Sequence, residues 1–188
     1  NTLHVLDATS GFPLWRYTAG GQIGATAAVG GGAVYFTAED GYFYALDIAS
    51  RAPRWPAVKI GFLEDATPLV QGDTVYVGSE HGFLNAFNVH TGALIWQAPA
   101  GELNEDKTTV KNSAAVNVAP AIEGATIYAV ASTDLATSVY AFGLTDGSAQ
   151  WHYDAVDGGF LGHESRPIVS DGQLYYCGNG QTLFAFGL

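Results

Sequence analysis

The chain has 188 residues with 18 acidic and 7 basic side chains, so its formal net charge is −11. This balance argues against nucleic acids and anionic lipid surfaces as partners, because binding to them needs clustered lysine and arginine. Hydrophobic residues make up 48 % of the chain and aromatic residues 13 %, which excludes a disordered protein. No apolar run approaches the roughly 20 residues that span a bilayer.

A single sequence pattern recurs along the chain: a turn, an aromatic strand, a tight turn, a second strand, a polar turn and a tryptophan. Half a copy comes first, from Leu3 to Trp15, and four further copies have their aromatic strands at 32–36, 72–77, 124–128 and 172–177. The tryptophans are 40, 41 and 55 residues apart: Trp15, Trp55, Trp96 and Trp151. A period near 40 residues with short strands is typical of a β-propeller blade.

An apolar segment precedes each aromatic strand, and three of these segments have a proline at the same place: Pro68, Pro120 and Pro167. Proline cannot donate to a strand ladder and is confined to sheet edges or strand starts. This fits the innermost strand of a blade, whose free edge faces the central channel. Each unit therefore has four short strands, and we predict an all-β fold, a β-propeller of four-stranded antiparallel blades.

The domain organisation follows from the repeats. We predict one propeller segment over 1–188, with about four blades, divided as a half-blade at 1–20 and blades at about 21–60, 61–112, 113–158 and 159–188. The first half-unit and the last unit each supply the third strand of a blade. A ring closed by the two termini needs only one third strand at that junction, so four blades do not close neatly on themselves. We expect part of a seven- or eight-bladed ring, or copies that associate, because open sheet edges favour aggregation.

Each tryptophan belongs to a short motif that also contains an acidic or amide residue and a turn. The residues concerned are Asp7, Gly11 and Trp15; Ala45, Leu46, Asp47 and Trp55; and Asn88, Thr91, Gly92 and Trp96. The pattern resembles the tryptophan-docking motif of the PQQ-like (pyrroloquinoline-quinone-like) repeat family, over nearly the whole chain except about 101–113. The resemblance implies a structural docking role for Asp7, Asp47, Asn88 and the four tryptophans. We expect the indoles to fill the wedges between adjacent blades, which widen with radius.

The family that the chain resembles includes quinoprotein alcohol dehydrogenases, the outer-membrane assembly lipoprotein BamB and sensor domains, so the fold does not determine the function. Our first hypothesis is a non-catalytic scaffold for protein partners, or a sensor domain, without a cofactor. It implies a periplasmic or extracellular location in the bacterial cell envelope, without membrane insertion. The alternative is a segment of a quinoprotein alcohol dehydrogenase, for which the resemblance implies PQQ and calcium.

Catalytic and metal-binding patterns are not recognisable in the chain. The five histidines form no metal-binding motif, and no order of serine, histidine and aspartate suggests a nucleophile. The dehydrogenases of the family often have a disulfide between adjacent cysteines, whereas Cys177 is the only cysteine here. We expect Cys177 to be a buried, inert thiol. These features favour the scaffold over the dehydrogenase.

Polar residues immediately before the innermost strands form the candidate ligand site. Asp65, Asn117 and Glu164 have the same position in three repeats and would converge near one mouth of a closed channel, where their oxygens suit a cation. His163 and Arg166 flank Glu164, and this trio suits an anionic ligand held by the Arg166 fork. The alternatives are solvated strand starts and a local ion pair between Glu164 and Arg166.

The segment 101–113 is the one clear insertion between blades. It carries five of the chain's 25 charged residues in 13 positions. Insertions in repeat folds form loops on one face, which is often the binding face. The segment is therefore either a partner-binding loop or a plain solvated loop.

Overall fold

The computed structural model describes residues 1–61, 66–111, 115–132, 137–155, 166–177 and 183–187. Its seventeen described strands form five antiparallel sheets, which we number in chain order. Sheet 1 has two strands, β1 (Thr2–Leu6) and β2 (Pro13–Thr18). Among the described residues, no helix is long and apolar enough to cross a membrane.

The next three sheets have four strands each. Sheet 2 contains β3 (Ala28–Gly30), β4 (Ala33–Ala38), β5 (Tyr42–Asp47) and β6 (Val58–Lys59). Sheet 3 contains β7 (Leu69–Gln71), β8 (Thr74–Gly78), β9 (Phe83–Asn88) and β10 (Leu94–Pro99). Sheet 4 contains β11 (Ala121–Glu123), β12 (Thr126–Ser132), β13 (Thr137–Gly143) and β14 (Ala149–Ala155). Sheet 5 has three described strands, β15 (Ile168–Ser170), β16 (Gln173–Cys177) and β17 (Leu183–Gly187).

Strands that follow one another in the sequence pair with one another in each sheet, so every sheet is an antiparallel meander. Val, Tyr, Phe and Thr are frequent in these strands, where their branched or flat side chains pack well on a pleated surface, and alanine fills many of the buried positions. Glycine and short polar residues occupy the turns between the strands. The predicted all-β fold, built from four-stranded antiparallel propeller blades, is confirmed.

The hydrophobic core lies between consecutive sheets. Buried clusters join sheet 1 to sheet 2, sheet 2 to sheet 3, sheet 3 to sheet 4, and sheet 4 to sheet 5. Within β9, Leu84 and Ala86 belong to the cluster with sheet 4, and Phe87 belongs to the cluster with sheet 2. Successive side chains of β9 thus point to opposite neighbouring sheets, as the two-residue period of a strand requires. Because the middle sheets are buried on both faces, stacking of neighbours supplies much of their stability.

The short first strands lie at the inner edges of their sheets. Each of β3, β7, β11 and β15 pairs with one neighbour only. The strands β3 and β7 contact each other across sheets, as do β11 and β15. Pro68, Pro120 and Pro167 lie directly before β7, β11 and β15, where a missing N–H removes no ladder hydrogen bond. The prolines therefore mark the channel side of the propeller, as predicted.

The described sheets do not close into a ring. The ladders of sheet 1 and sheet 5 are internal to each sheet, and no described strand of one pairs with the other. Both sheets keep large exposed apolar side chains: Leu6, Leu14, Ile168 and Leu183. The described residues thus form a partial propeller, with three complete sheets between two incomplete ones.

Candidate functional site

The inner strands β7, β11 and β15 line a central cleft of about 490 Å³. Leu69, Ile122 and Val169 make most of its wall apolar, and Gln71 adds an amide. Arg166 is the one charged side chain among the described residues that line the cleft. A guanidinium beside an apolar wall is suited to bidentate binding of a carboxylate or a phosphate.

The predicted ligand site is described only in part. Asp65, His163 and Glu164 lie outside the described residues. Arg166 lines the central cleft, whereas Asn117 is half-buried on the segment that leads into β11 and does not line that cleft. Of the two described members of the set, only Arg166 therefore lines the central cleft, and the five-residue site stays a prediction.

Metal-binding clusters are absent from the part of the chain that the structure describes: no three His, Cys, Asp or Glu side chains are grouped so as to hold an ion. The expectation for Cys177 is wrong, because its side chain is exposed. Cys177 is the last residue of β16, and a strand end is less enclosed by neighbouring sheets than a strand centre. The sequence pattern identified the strand but not where its burial stops.

Two of the tryptophans link neighbouring sheets. Trp55 and Trp96 are buried, and their indole nitrogens donate hydrogen bonds of 3.4 and 3.2 Å to the carbonyls of Val89 and Leu144 in the next sheet. Trp15 is half-buried and packs against sheet 2. Trp151 departs from the expected wedge burial, because 37 % of it is exposed.

Acidic and amide residues at the ends of third strands close the turns that follow them. Asp7 Oδ1 accepts two hydrogen bonds of 2.8 Å from Ser10, one from its hydroxyl and one from its N–H. These two hydrogen bonds lower the pKa of Asp7. Asp47 Oδ1 accepts the N–H of Ser50 at 2.8 Å, and Asp47 Oδ2 forms a 2.7 Å ion pair with Arg54. The hydrogen bond from Arg54 is the main cause that lowers the pKa of Asp47.

Asn88 makes the same kind of turn without a charge. Its Oδ1 accepts the N–H groups of His90 and Thr91, both at 3.0 Å. The local geometry of an Asx turn explains why aspartate and asparagine alternate at this position. These residues shape the turns that follow their strands.

The described part of the insertion, residues 101–111, contains a hairpin with an exposed turn. Leu103 and Val110 form a bridge at its base, and Asn104 and Thr109 pair through main chain and side chains. The Val110 N–H donates to the His81 carbonyl at 2.9 Å, and the Val110 side chain is buried between sheets 3 and 4. The hairpin is thereby fixed to the propeller, with the exposed Lys107 in its turn.

A second cleft, which we call groove 3–4, lies between the outer parts of sheets 3 and 4 and measures about 560 Å³. Glu102 lies on one wall, and Tyr140, His152 and Asp154 lie on the other. This site was not predicted from the sequence, because its residues carry no motif. The sequence offers one indication of the site. Tyr140, His152 and Asp154 lie on two paired strands, at positions whose side chains point to the same side of the sheet.

Solved structures share the fold at low sequence identity. BamB from Moraxella catarrhalis is similar with a TM-score of 0.70 and 22 % identity, over 94 % of this chain and 53 % of that chain. A quinohemoprotein alcohol dehydrogenase from Pseudomonas putida HK5 has a TM-score of 0.68 and 17 % identity, over 100 % and 39 %. The computationally designed Ika4 protein has a TM-score of 0.64 and 12 % identity, over 91 % and 94 %. At such identities the likeness shows the fold alone.

The chain spans about half the length of the BamB structure that it resembles. No curated protein matches it significantly. A family model described as "Outer membrane protein assembly factor BamB" matches residues 1–186, which is nearly the whole sequence. The chain therefore belongs to the BamB family of PQQ-like repeat propellers.

Proposed function

We propose that the chain is a non-catalytic propeller that serves as a protein-interaction scaffold or sensor domain in the cell envelope, in a periplasmic or extracellular location. The observation that carries the proposal is the hairpin at 103–110, a charged insertion that is joined to the propeller by a main-chain hydrogen bond from Val110 to His81. Membership of a family described as an assembly factor supports it. The net charge of −11 argues against nucleic acid as the partner.

The hairpin is suited to binding because hydrogen bonds within it define its shape. The Asn104 carbonyl accepts the N–H of Lys107 at 3.0 Å, and Asn104 Oδ1 accepts the N–H of Thr108 at 3.0 Å. An ion pair of 2.9 Å between Lys111 and Glu102 closes the base. A preorganised loop loses little conformational entropy on binding, so more of the contact energy appears as affinity.

Site-specific photocrosslinking in cells tests the scaffold. A photoreactive amino acid replaces Lys107 in the hairpin turn, and the matched control replaces His90, which is exposed at the opposite end of β9. We expect a discrete protein adduct at position 107 and none at position 90. The adduct should disappear when residues 104–109 are replaced by a two-residue turn that keeps Leu103 and Val110. Equal labelling at both positions, or no adduct, would contradict the proposal.

A second candidate is a segment of a PQQ- and calcium-dependent alcohol dehydrogenase, which the fold similarity to the Pseudomonas putida enzyme supports. In the described residues, Arg166 is suited to a carboxylate of the quinone, but no group of three acidic, histidine or cysteine side chains fits calcium. The described residues therefore do not supply the cofactor set.

Titration with PQQ and calcium distinguishes the two candidates. The dehydrogenase predicts a quinone absorption band that saturates, alcohol-dependent dye reduction, and loss of both in Arg166→Ala. Arg16→Ala, at an exposed position of β2, is the matched control. An unchanged spectrum in the parent chain eliminates the dehydrogenase and leaves the scaffold in place.

A further inference from the structure

Groove 3–4 has an equivalent between sheets 2 and 3, which we call groove 2–3 and which measures about 390 Å³. The ladder register identifies matching positions in the two grooves. Asn85 pairs with Gln97 across β9 and β10, and Tyr140 pairs with His152 across β13 and β14. The same two sites of the blade therefore hold an amide pair in one groove and an aromatic pair in the other.

The two amide side chains of groove 2–3 are hydrogen-bonded to each other. Gln97 donates to Asn85 Oδ1 at 2.8 Å, and Asn85 donates to the Val77 carbonyl at 3.2 Å. Asn85 is buried. The described residues that line groove 2–3 include no carboxylate, so this groove serves as a natural comparison for its neighbour.

The aromatic pair of groove 3–4 presents a flat wall. The rings of Tyr140 and His152 stack with centroids 5.5 Å apart and an interplanar angle of 18°. The side chain of His152 is 61 % exposed, so its outer face is accessible. Planar and cationic groups bind such aromatic faces through dispersion and the ring quadrupole.

A carboxylate lies beside this wall in a defined orientation. Asp154 Oδ1 accepts a 2.7 Å hydrogen bond from Ser138, and its side chain is 59 % exposed. Within the described parts of the chain, no lysine or arginine lies within ion-pair distance of Asp154, and the nearest cation-forming group is His152 at 3.9 Å. Glu102 on the facing wall is already paired with Lys111. Asp154 is therefore the carboxylate of the groove that is available to an external cation.

We propose that groove 3–4 accepts an arginine side chain of a protein partner, whose guanidinium stacks on the ring of His152 and binds Asp154 through its N–H fork. This inference rests on the proposed scaffold function and names the chemistry of one contact. Arginine fits better than lysine, because a planar guanidinium both stacks on a ring and pairs with a carboxylate in bidentate geometry. The acidic character of the whole chain adds long-range attraction for a basic partner.

A nuclear magnetic resonance titration of the isotope-labelled chain tests the site. The probe is N-acetyl-arginine amide, and N-acetyl-citrulline amide is the neutral control of the same shape. We expect saturable shifts of the Tyr140, His152 and Asp154 signals with the arginine probe and much smaller shifts with citrulline. The signals of Asn85 and Gln97 in groove 2–3 should not move.

Two variants show whether binding depends on the charge of Asp154 or on the acidic surface as a whole. Asp154→Asn keeps the acceptor for Ser138 and should weaken binding about tenfold, the effect of losing a charge-assisted hydrogen bond. Asp73→Asn, at an exposed carboxylate that does not line groove 3–4, should leave binding unchanged. Equal binding of citrulline, an unaffected Asp154→Asn, or shifts that map elsewhere would each overturn the proposal.

The two proposals fail in different ways. If the arginine probe does not bind while crosslinking at position 107 still captures a partner, the groove assignment is wrong and the scaffold stands. If the probe binds at Asp154 but no partner is captured, the guanidinium site stands and the scaffold role falls. Loss of the crosslinked adduct in Asp154→Asn, with the folded spectrum preserved, supports both.

Discussion

Trp55 donates a hydrogen bond of 3.4 Å from its indole nitrogen to the main-chain carbonyl of Val89, across the boundary between sheets 2 and 3. Tyr35 donates to the same carbonyl at 3.2 Å. One acceptor in a blade thus receives two donors from the preceding blade. The arrangement repeats at the next boundary. There Trp96 and Tyr76 donate hydrogen bonds of 3.2 and 3.3 Å to the main-chain carbonyl of Leu144.

The first prediction concerns this shared acceptor. Because the carbonyl of Val89 is buried, removal of one donor leaves the other in place, whereas removal of both leaves the acceptor unsatisfied. We expect Tyr35→Phe to lower the free energy of unfolding by about 1 kcal/mol. The double variant with Trp55→Phe should lose about 1–2 kcal/mol more than the sum of the single variants.

Urea denaturation of the two single variants and the double variant measures this coupling. The same cycle between Tyr35→Phe and Trp96→Phe is the control, because those residues donate to different carbonyls. Additive losses in the first cycle would show that the two donors do not share an acceptor in solution.

The second prediction concerns Gly92, which lies against the indole of Trp55. Its φ is +70°, and a Cβ added there would lie 2.6 Å from Trp55 Cδ2. Gly92→Ala should lower the free energy of unfolding by about 2–5 kcal/mol, because backbone strain and overpacking add. Gly72 has a φ of +58° with nothing within 4 Å of the added Cβ. Gly72→Ala should therefore cost only the backbone strain, about 1–2 kcal/mol.

Denaturant midpoints of the two glycine variants give the comparison. The difference between them isolates the steric contact with Trp55, since both positions need the left-handed backbone. Equal losses would mean that the indole moves aside and that the packing at this blade boundary is looser than the structure indicates.

The third prediction concerns acid stability. The hydrogen bond from Arg54 lowers the pKa of Asp47 in the folded state. A lowered folded-state pKa contributes stability above the unfolded-state value of about 3.9, and this contribution is lost as the pH falls through the folded-state pKa. Asp47→Asn should therefore be less stable than the parent at neutral pH, and the difference should shrink as the pH falls below about 4.

Thermal unfolding between neutral and strongly acidic pH checks this dependence. Asparagine preserves the turn, since Asn88 makes the equivalent contacts in sheet 3. Glu105→Gln, which removes an exposed carboxylate of the hairpin, is the control and should follow the parent curve. A stability difference for Asp47→Asn that stays constant down to acidic pH would rule out the charge of Asp47 as its cause.

The fourth prediction concerns Tyr44. Burial raises the pKa of Tyr44 to about 12, and the hydrogen bond that Tyr44 donates to Asp40 adds to the shift. A raised pKa contributes stability below the unfolded-state value of about 10, and this contribution disappears as the pH rises towards 12. Alkaline ultraviolet titration of the parent, compared with Tyr44→Phe, isolates this group.

Asp40→Asn separates the two causes of the Tyr44 shift. The variant removes the charge that disfavours tyrosinate but leaves the burial, so the pKa of Tyr44 should fall partway towards its ordinary value. No change in Asp40→Asn would assign the whole shift to burial. A Tyr44 that titrates near pH 10 in the parent would contradict the packing between sheets 1 and 2.

Much of the fold was predictable because the repeat imposes its own pattern. The spacing of the repeats predicted the four-stranded sheets, and the shared position of Pro68, Pro120 and Pro167 predicted which strands lie at the inner edges. The exposure of Cys177 was not predictable, since it depends on where the neighbouring sheet ends. The hydrogen bond that fixes the hairpin was equally unpredictable, because the N–H of Val110 donates to the carbonyl of His81, which lies 29 positions earlier in the chain.

The candidate sites were less accessible to sequence reasoning. The positions of Asn117 and Arg166 before inner strands follow from the repeat, but which of them lines the central cleft depends on the paths of the connecting segments. Groove 3–4 combines Glu102 from the end of one blade with Asp154 from the next. No short-range pattern relates two positions that are brought together only by the stacking of sheets.

The sequence by itself determined the all-β class, the four-stranded unit and the inner position of the proline-marked strands. It could do so because periodicity and backbone chemistry act within a single unit. The tertiary structure alone decided which donors share the carbonyl of Val89, how the hairpin is fixed at Val110 and which side chains line groove 3–4. These features arise between units, where stacking sets distances that local sequence does not encode.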